Sequence, residues 1–278
     1  MPALEPRPEL LHDVTVTRRQ DFGHGYFELY LECPALARAM QAGQFVNVRV
    51  RDGFSPLLRR PFSSFDLLAD ARGRATGISL LIHTVGTGTQ LLSRLEAGAR
   101  LNVNGPLGHG FELPADPEAR IIMVGGGIGL APFLHLARQW APLKRELVLL
   151  AGARSQRDLA FMKRFGGLPL STLVATEDGT AGVKGRVTVL LEAELAALKG
   201  KPAVIYTCGP NAMMAAVSQM AARFSLPCFA SLESAMGCGF GVCNGCVARV
   251  KDASRPEGFR YAKTCVEGTV LDASTLLW

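Results

Sequence analysis

The sequence predicts a multidomain α+β and α/β chain with three successive units: an antiparallel β-barrel or sheet, a parallel α/β sheet and a small cysteine-rich unit. Short alternating apolar segments fill residues 14 to about 112, and apolar runs alternate with helix-period segments from Arg120 onward. Four of the seven cysteines lie between Cys238 and Cys265. These changes place the expected units at 1–116, 117–226 and 227–278.

Composition and charge exclude several classes of protein. With 48% hydrophobic and 19% charged residues, the 278-residue chain is expected to fold around a sizeable core. The longest apolar stretch, 121–137, is interrupted by glycines, Pro132 and His135, so no membrane span is expected. The net charge of +6 comes from scattered basic residues and does not indicate nucleic acid. The start, MPALEPRPELLHD, has no export signal pattern, and the odd cysteine count argues against a disulfide framework, so a cytoplasmic location is expected.

The first unit shows the period-two alternation of antiparallel strands, punctuated by glycine and proline. One helix interrupts it at 89–95, where apolar residues stand at positions 91, 92 and 95. The strands are expected at 14–16, 26–31, 45–50, 78–84 and 101–103.

The second unit alternates short apolar runs with helical segments, which is typical of βαβ units and a parallel sheet. A short hairpin is expected after Pro227, formed by 247–250 and 260–264. The parallel strands are expected at 121–124, 147–151, 171–176 and 203–208, and the helices at 130–140, 188–197 and 211–224.

The cysteine spacing is the strongest chemical signal in the chain. The pattern C-x4-C-x2-C-x18-C is the plant-type ferredoxin arrangement for a 2Fe-2S cluster. Intervening glycines let the backbone fold tightly around the sulfurs. A structural zinc site is the alternative, although four-thiolate zinc sites usually show two C-x2-C pairs and this segment has one. The expected metal ligands are Cys238, Cys243, Cys246 and Cys265.

A glycine-rich loop joins the first parallel strand to the first helix of that unit. Glycines in this context let the backbone approach a pyrophosphate at the positive end of a helix. The run does not fit G-x-G-x-x-G, because Leu130 stands where the third glycine belongs, and a tight turn is the alternative. The loop glycines are Gly125, Gly126, Gly127 and Gly129.

Two strand ends carry further candidate residues for a dinucleotide. After the second parallel strand, where an acidic residue would bind the ribose of NAD, stand Arg154, Ser155 and Arg157, which leaves NAD and NADP both open. The segment Cys208-Gly209-Pro210 ends another strand, where parallel-sheet folds bind ligands, so Cys208 is a candidate neighbour of a nicotinamide.

The antiparallel unit carries a candidate flavin segment. Arg60, Pro61, Phe62 and Ser63 offer a phosphate partner, a stacking face and a hydrogen-bond donor within four residues. The turn at Gly88-Thr89 is a second possible anion site. An edge strand with an exposed arginine is the alternative explanation of the first segment.

In this order, the R-x-F-S, Gly-Thr, GGGIGLAP, CGP and four-cysteine motifs resemble the ferredoxin-NADP reductase superfamily. Within it the chain is similar to the electron-transfer subunits of NAD-linked dihydroorotate dehydrogenase, as LLRRPFSSFD, NGPLGHGFEL and YAKTCVEGTVLDA illustrate. The resemblance covers nearly the whole chain. It implies a Greek-key barrel that binds FAD, a parallel sheet that binds NAD (or NADP) as substrate, and a C-terminal 2Fe-2S domain.

The resemblance also assigns roles to residues. Arg60 would hold the phosphate or ribityl side of FAD, Phe62 would pack against the flavin, and Ser63 would approach its N5 atom. Leu81, Ile82 and His83 match FAD-contacting positions, Gly88 and Thr89 would bind the pyrophosphate, and Glu233 would face the nicotinamide. No catalytic residue is certain, and Ser63, Cys208 and Glu233 are the candidates nearest the reacting rings.

The implied activity needs a partner. An FMN-containing subunit would oxidise dihydroorotate, and electrons would pass through the cluster and FAD to NAD+, within a heterotetramer of two copies of each subunit in pyrimidine biosynthesis. The chain shows no evident site for dihydroorotate itself. Two alternatives remain: the small subunit of an NADPH-dependent, electron-bifurcating ferredoxin reductase, and a non-enzymatic zinc- or cluster-binding interaction module.

Overall fold

The first half of the chain folds into a seven-stranded antiparallel sheet, as a computed structural model that describes residues 10–278 shows. Residues 1–9 of the expected first unit and of the N-terminal segment lie outside the described residues. The elements of this half are β1 (Leu11–Gly23), β2 (Tyr26–Glu32), helix α1 (Pro34–Ala39), β3 (Phe45–Arg49), β4 (Arg60–Ser63), β5 (Asp66–Ala69), β6 (Ala75–His83), helix α2 (Thr87–Leu92) and β7 (Arg100–Leu107). The order of the strands in the sheet is β4-β3-β7-β1-β2-β6-β5.

Alternation along these strands builds the core of the sheet. Val14 and Val16 on β1, Leu29 on β2, and Val46 and Val48 on β3 all point to one buried interior. Burying such side chains removes apolar area from water at about 25 cal/mol per Å². The predicted antiparallel unit is confirmed.

The second half of the chain forms another seven-stranded sheet, which is mostly parallel, and a separate two-stranded hairpin. The elements are β8 (Arg120–Gly126), α3 (Ala131–Trp140), β9 (Leu147–Ala153), β10 (Ser171–Thr176), β11 (Val183–Lys184), α4 (Thr188–Ala197), β12 (Ala203–Cys208), α5 (Asn211–Arg223), β13 (Cys228–Ser231), β14 (Val247–Lys251), β15 (Phe259–Lys263) and β16 (Val270–Asp272). The order of the strands in the sheet is β11-β10-β9-β8-β12-β13-β16, and all pairs are parallel except that of β16 with β13. Strands β14 and β15 form the hairpin. The predicted parallel α/β sheet is confirmed.

Several elements differ from the expectation at their ends or were not expected. Helix α2 begins at Thr87 and ends at Leu92, earlier than the predicted 89–95. Helix α1, strand β5 and a 3-10 helix over Gln156–Phe165 were missed. Strand β16 was also missed, because its pairing with β13 arises only when the chain returns after the cysteine segment. None of the helices in residues 10–278 is long and apolar enough to cross a membrane.

The two sheets pack through aromatic and charged contacts. Phe161 of the 3-10 helix lies 5.5 Å from the ring of Tyr26 on β2 and 6.4 Å from that of Phe65. Beside this apolar contact, Arg164 of the same 3-10 helix pairs with the buried carboxylates of Glu28 (β2) and Asp66 (β5). These contacts fix how the antiparallel sheet faces the parallel one.

Candidate functional site

A cavity of about 780 Å³ opens at the carboxyl edge of the parallel sheet, against the antiparallel sheet. Strand β8 has β9 on one side and β12 on the other, so the strand order reverses there, which is where open α/β sheets bind ligands. Both sheets supply walls. The lining includes Tyr26, His83, Gly126, Gly127, Ile128, Arg154, Asp158, Glu177, Arg186, Gly209, Pro210 and Glu233.

The glycines of the loop after β8 have different roles. Gly127 has φ +56°, and a methyl group placed there would meet open space, so this glycine faces the cavity. A Cβ on Gly126 would lie 2.6 Å from the Met213 sulfur, and one on Gly129 would lie 2.4 Å from the Cys208 carbonyl oxygen. A Cβ on Gly125 would meet the Leu130 side chain at 2.5 Å. The loop therefore packs tightly against its neighbours while one glycine stays open to a ligand.

The segment after β12 forms the opposite wall. Gly209 and Pro210 line the cavity, whereas the Cys208 side chain is buried. Burial, and then the negative charge of Glu233, raises the pKa of the Cys208 thiol to about 12. The thiol is therefore uncharged at neutral pH and is not a nucleophile. Glu233, the residue expected to face the nicotinamide, is exposed and lines the cavity. It lies in the stretch of chain that joins β13 to Cys238.

The outer end of the cavity carries charged groups that sequence reasoning only partly found. Arg154 lines it, but the Ser155 hydroxyl bonds Asp158 at 3.2 Å, and Arg157 is exposed on the 3-10 helix. Glu177 and Arg186 line it and were missed. Glu177 directly follows β10, just as Arg154 directly follows β9. Its position at the end of a parallel strand could have identified Glu177 from the sequence.

Arg60 of the candidate flavin segment lies against the turn that begins α2. A Cβ on Gly88 would sit 3.1 Å from Arg60 Nε, so the guanidinium and this turn face one another closely. Strand β4, which carries Arg60, Pro61, Phe62 and Ser63, also approaches β6. Phe62 packs against the core of its own sheet and is half-buried. A phosphate could bind between Arg60 and this turn.

Of the other residues expected to contact FAD, some stabilise the fold and one lines the cavity. The Thr89 hydroxyl accepts hydrogen bonds from the N–H groups of Val85 and Gly86 and donates to the Gly86 carbonyl, so it holds the turn in shape. Leu81 packs toward the parallel sheet and Ile82 into the core of its own sheet. His83 stacks on Tyr26 at 4.1 Å and lines the cavity.

Three of the four cysteines, Cys238, Cys243 and Cys246, lie in the segment between β13 and β14, and Cys265 follows β15. We call these residues together the cysteine segment, and all four are free thiols. Cys246 and Cys265 are buried against Phe45 and Leu107 of the antiparallel sheet. Cys243 is exposed, and its N–H points at the Cys238 sulfur at 3.4 Å.

Local polarity distinguishes the thiols. Although desolvation opposes it, hydrogen bonds from the backbone of Cys243, Phe240 and Val242 lower the pKa of Cys238 to about 6. Burial and the adjacent Cys246 raise the pKa of Cys265 to about 12. No three His, Cys, Asp or Glu side chains of residues 10–278 lie close enough together to hold a single metal ion. A 2Fe-2S cluster instead divides four thiolates between two irons, and this set of free cysteines with N–H groups aimed at sulfur fits that requirement.

Together, the parallel sheet with its glycine loop, the antiparallel sheet beside it and the four-thiol segment define a ferredoxin-reductase-like oxidoreductase component. A solved electron-bifurcating NADH-dependent reduced ferredoxin-NADP oxidoreductase shares the fold, with a TM-score of 0.79, 23% identity and coverage of 95% of this chain and 90% of that chain. A ferredoxin NADP+ reductase from Neisseria gonorrhoeae gives a TM-score of 0.63 at 17% identity, over 78% of this chain and 92% of that one.

Sequence relatives are more specific than the fold. The electron transfer subunit of dihydroorotate dehydrogenase B (NAD(+)) from Desulforamulus reducens is 35% identical over 91% of this chain and 92% of its own length. The subunit from Bacillus caldolyticus is also 35% identical, over 95% and 97%. The chain belongs to this family of electron transfer subunits. A family model for the oxidoreductase NAD-binding domain matches residues 123–219, and one for the iron-sulfur cluster binding domain of dihydroorotate dehydrogenase B matches residues 233–277.

Proposed function

We propose that this chain carries electrons from a dihydroorotate-oxidising partner subunit, which holds FMN, through a 2Fe-2S cluster and FAD to NAD+ in pyrimidine biosynthesis. One observation carries the proposal: the antiparallel sheet contacts both the cysteine segment and the nucleotide cavity. Its β3 and β7 pack against Cys246 and Cys265, and its β2 and β6 supply Tyr26 and His83 to the cavity. The sheet proposed for FAD therefore lies between the other two sites.

That order matches the electron chemistry of the three groups. A flavin exchanges two electrons with a nicotinamide and one with an iron-sulfur cluster, so it connects a one-electron and a two-electron partner. The chain supplies the positions for this exchange. Tyr26 and His83 form the wall that the antiparallel sheet presents to the nucleotide cavity, and Glu233 stands on the side of the cysteine segment.

Residue roles follow from the same arrangement. Cys238, Cys243, Cys246 and Cys265 would bind the cluster. Arg60, Pro61, Phe62, Ser63, Leu81, Ile82, His83, Gly88 and Thr89 would bind FAD, with Leu81, Ile82 and Thr89 acting through the backbone because their side chains are engaged elsewhere. Gly125, Gly126, Gly127, Gly129, Gly209 and Pro210 would shape the NAD site, with Cys208 beneath it.

The proposal extends to organisation and location. Units 1–116, 117–226 and 227–278 would bind FAD, NAD and the cluster in turn, with β13 and β16 of the last unit completing the parallel sheet. A heterotetramer of two copies of each subunit is part of the proposal, as is a cytoplasmic location, which suits seven free cysteines.

The nucleotide would be NAD rather than NADP. This preference follows the relatives, whose name specifies NAD(+). At the outer end of the cavity the carboxylates of Glu177 and Asp158 would hydrogen-bond ribose hydroxyls, but Arg154 and Arg186 line the same end, so the charges there do not by themselves select NAD over NADP. The alternative of an NADPH-dependent bifurcating reductase subunit rests on the shared fold over 95% of the chain.

Anaerobic co-expression with an FMN-containing dihydroorotate-oxidising subunit tests the proposal. We expect a stable complex with flavin and iron-sulfur absorbance that reduces NAD+ when dihydroorotate is added. A complex that forms but prefers NADP+ and ferredoxin would support the bifurcating alternative. A colourless chain that contains zinc and no flavin would support an interaction module and refute electron transfer.

A further inference from the structure

Asn47 on β3 is a fully buried polar side chain at the junction between the antiparallel sheet and the cysteine segment. Its Nδ2 donates a hydrogen bond to the Cys238 carbonyl at 3.2 Å. Its Oδ1 is buried and has no hydrogen-bond partner among the described residues. An unmatched buried acceptor costs free energy, so packing alone does not account for an amide at this position.

The cysteine segment is shaped to receive this side chain. Gly239, which follows Cys238, has φ +84°, a left-handed conformation that favours glycine. A Cβ at Gly239 would lie 2.7 Å from Asn47 Nδ2 and 3.2 Å from Leu107. The close approach of the cysteine segment to β3 therefore depends both on the glycine at position 239 and on the asparagine at position 47.

Asn47 is also joined to the proposed flavin strand. It lies opposite Pro61 of β4 in the antiparallel pair, one residue from Arg60. Arg59 donates to the Asn47 carbonyl at 3.3 Å and to the Asn102 carbonyl at 2.9 Å, which ties the start of β4 to β3 and β7. One residue thus touches the first cysteine of the cluster segment through its side chain and the flavin strand through its backbone.

We propose that Asn47 is the positioning residue that holds the Cys238 backbone, and with it the first cluster ligand, at a fixed place beside β4. This inference rests on the proposed function, because it takes Cys238 as a ligand of a 2Fe-2S cluster. The amide acts on the cluster through the Cys238 carbonyl and the shape of the loop. Residues that contact the ligands of a metal site, without binding the metal themselves, commonly hold those ligands in position.

The test compares N47L, which keeps the branch at Cγ and has no hydrogen-bonding group, with N102A as a control. Asn102 stands on the neighbouring strand β7, and its side-chain hydrogen bonds go to Arg59 and Asp13. The anaerobically purified chains are compared by FAD content, by the electron paramagnetic resonance spectrum of the reduced cluster, and by the rate at which a chelator bleaches the cluster.

We expect N47L to keep wild-type FAD content, to show altered g values, and to lose its cluster about tenfold faster, the factor for one buried hydrogen bond. N102A should match the wild type in the spectrum of the reduced cluster and in the bleaching rate. An N47L variant with an unchanged spectrum and bleaching rate would overturn the inference, as would an N102A variant that is equally affected.

A second pair of variants keeps the test valid if N47L does not fold. G239A should accelerate cluster loss, and its effect should shrink in an N47A background, because the truncated side chain leaves room for the new methyl group. Strictly additive effects would overturn the inference. A wild-type chain without any cluster signal would instead overturn the proposed function, so the two failures are distinguishable.

Discussion

Replacing Arg164 with methionine tests how firmly the two sheets are held together. The guanidinium donates to Glu28 at 2.9 and 3.1 Å and to Asp66 at 2.8 Å. Both carboxylates are buried, with side-chain exposures of 0% and 5%. R164M removes the cation while Glu28 keeps only its bond from the Tyr30 hydroxyl, at 2.8 Å.

The burial of the carboxylates determines the expected size of the effect. Exposed ion pairs contribute about 0–1 kcal/mol, whereas removing one partner of a buried pair costs about 3–5 kcal/mol. Arg164 retains 22% exposure of its side chain, so we expect the lower end, about 3 kcal/mol in the free energy of unfolding. The cavity has walls from both sheets, so KM for NADH in dye reduction should also rise.

Urea unfolding followed by circular dichroism measures the first effect, and steady-state dye reduction measures the second. R157M, a change of the exposed arginine on the same 3-10 helix, is the control for stability and should unfold at the same urea concentration as the wild type. The double variant E28Q/R164M should recover part of the loss, because no unpaired charge remains at Glu28. A loss under about 1 kcal/mol for R164M, or a double variant no better than the single one, would refute this account of the interface.

Three further changes test the cofactor segments and the interface. C246S should abolish the paramagnetic signal of the reduced cluster while FAD content and NADH-to-dye activity persist; joint loss would contradict separate sites. R60A should weaken FAD binding about ten- to a hundredfold, the effect of a lost charge-assisted hydrogen bond of about 1.5–3 kcal/mol, and equilibrium dialysis that finds unchanged affinity would exclude that role. Burial raises the pKa of Asp66 to about 6 against the opposing effect of Arg138 and Arg164, so the folded chain binds more protons than the unfolded one between about pH 4 and 6. Wild-type stability relative to D66N should therefore fall as the pH rises through that window and level off above it, and urea titrations without such a slope would refute the assignment.

The elements that sequence predicted best are those that depend on local spacing. Strands β8, β9, β10 and β12 lie within a few residues of the expected positions, because fully buried parallel strands are short continuous apolar runs. Strand β5 was missed because it has four residues and its one buried residue is Asp66, which pairs with Arg138 and Arg164 of the other sheet's elements. The 3-10 helix over Gln156–Phe165 was missed because its buried side chains pack against aromatic residues of the antiparallel sheet rather than follow a clear local period.

The candidate site was only partly predictable for the same reason. The glycine loop after β8 was found because its turn and close packing require glycine at neighbouring positions. Tyr26 was not, because its place in the cavity wall depends on stacking with His83 across the β2–β6 pair. Glu177 was missed because its relevance comes from the alignment of β10 beside β9.

By itself the sequence determined the spacing of the cysteines, the glycine loop and the change from antiparallel to parallel units, since each depends on residue type and local spacing. Only the tertiary structure decided which distant groups meet. Arg164 reaches Glu28 across 136 positions, and Asn47 reaches Cys238 across 191. Such pairs form because the two sheets and the cysteine segment pack against one another, and the local sequence pattern does not predict that packing.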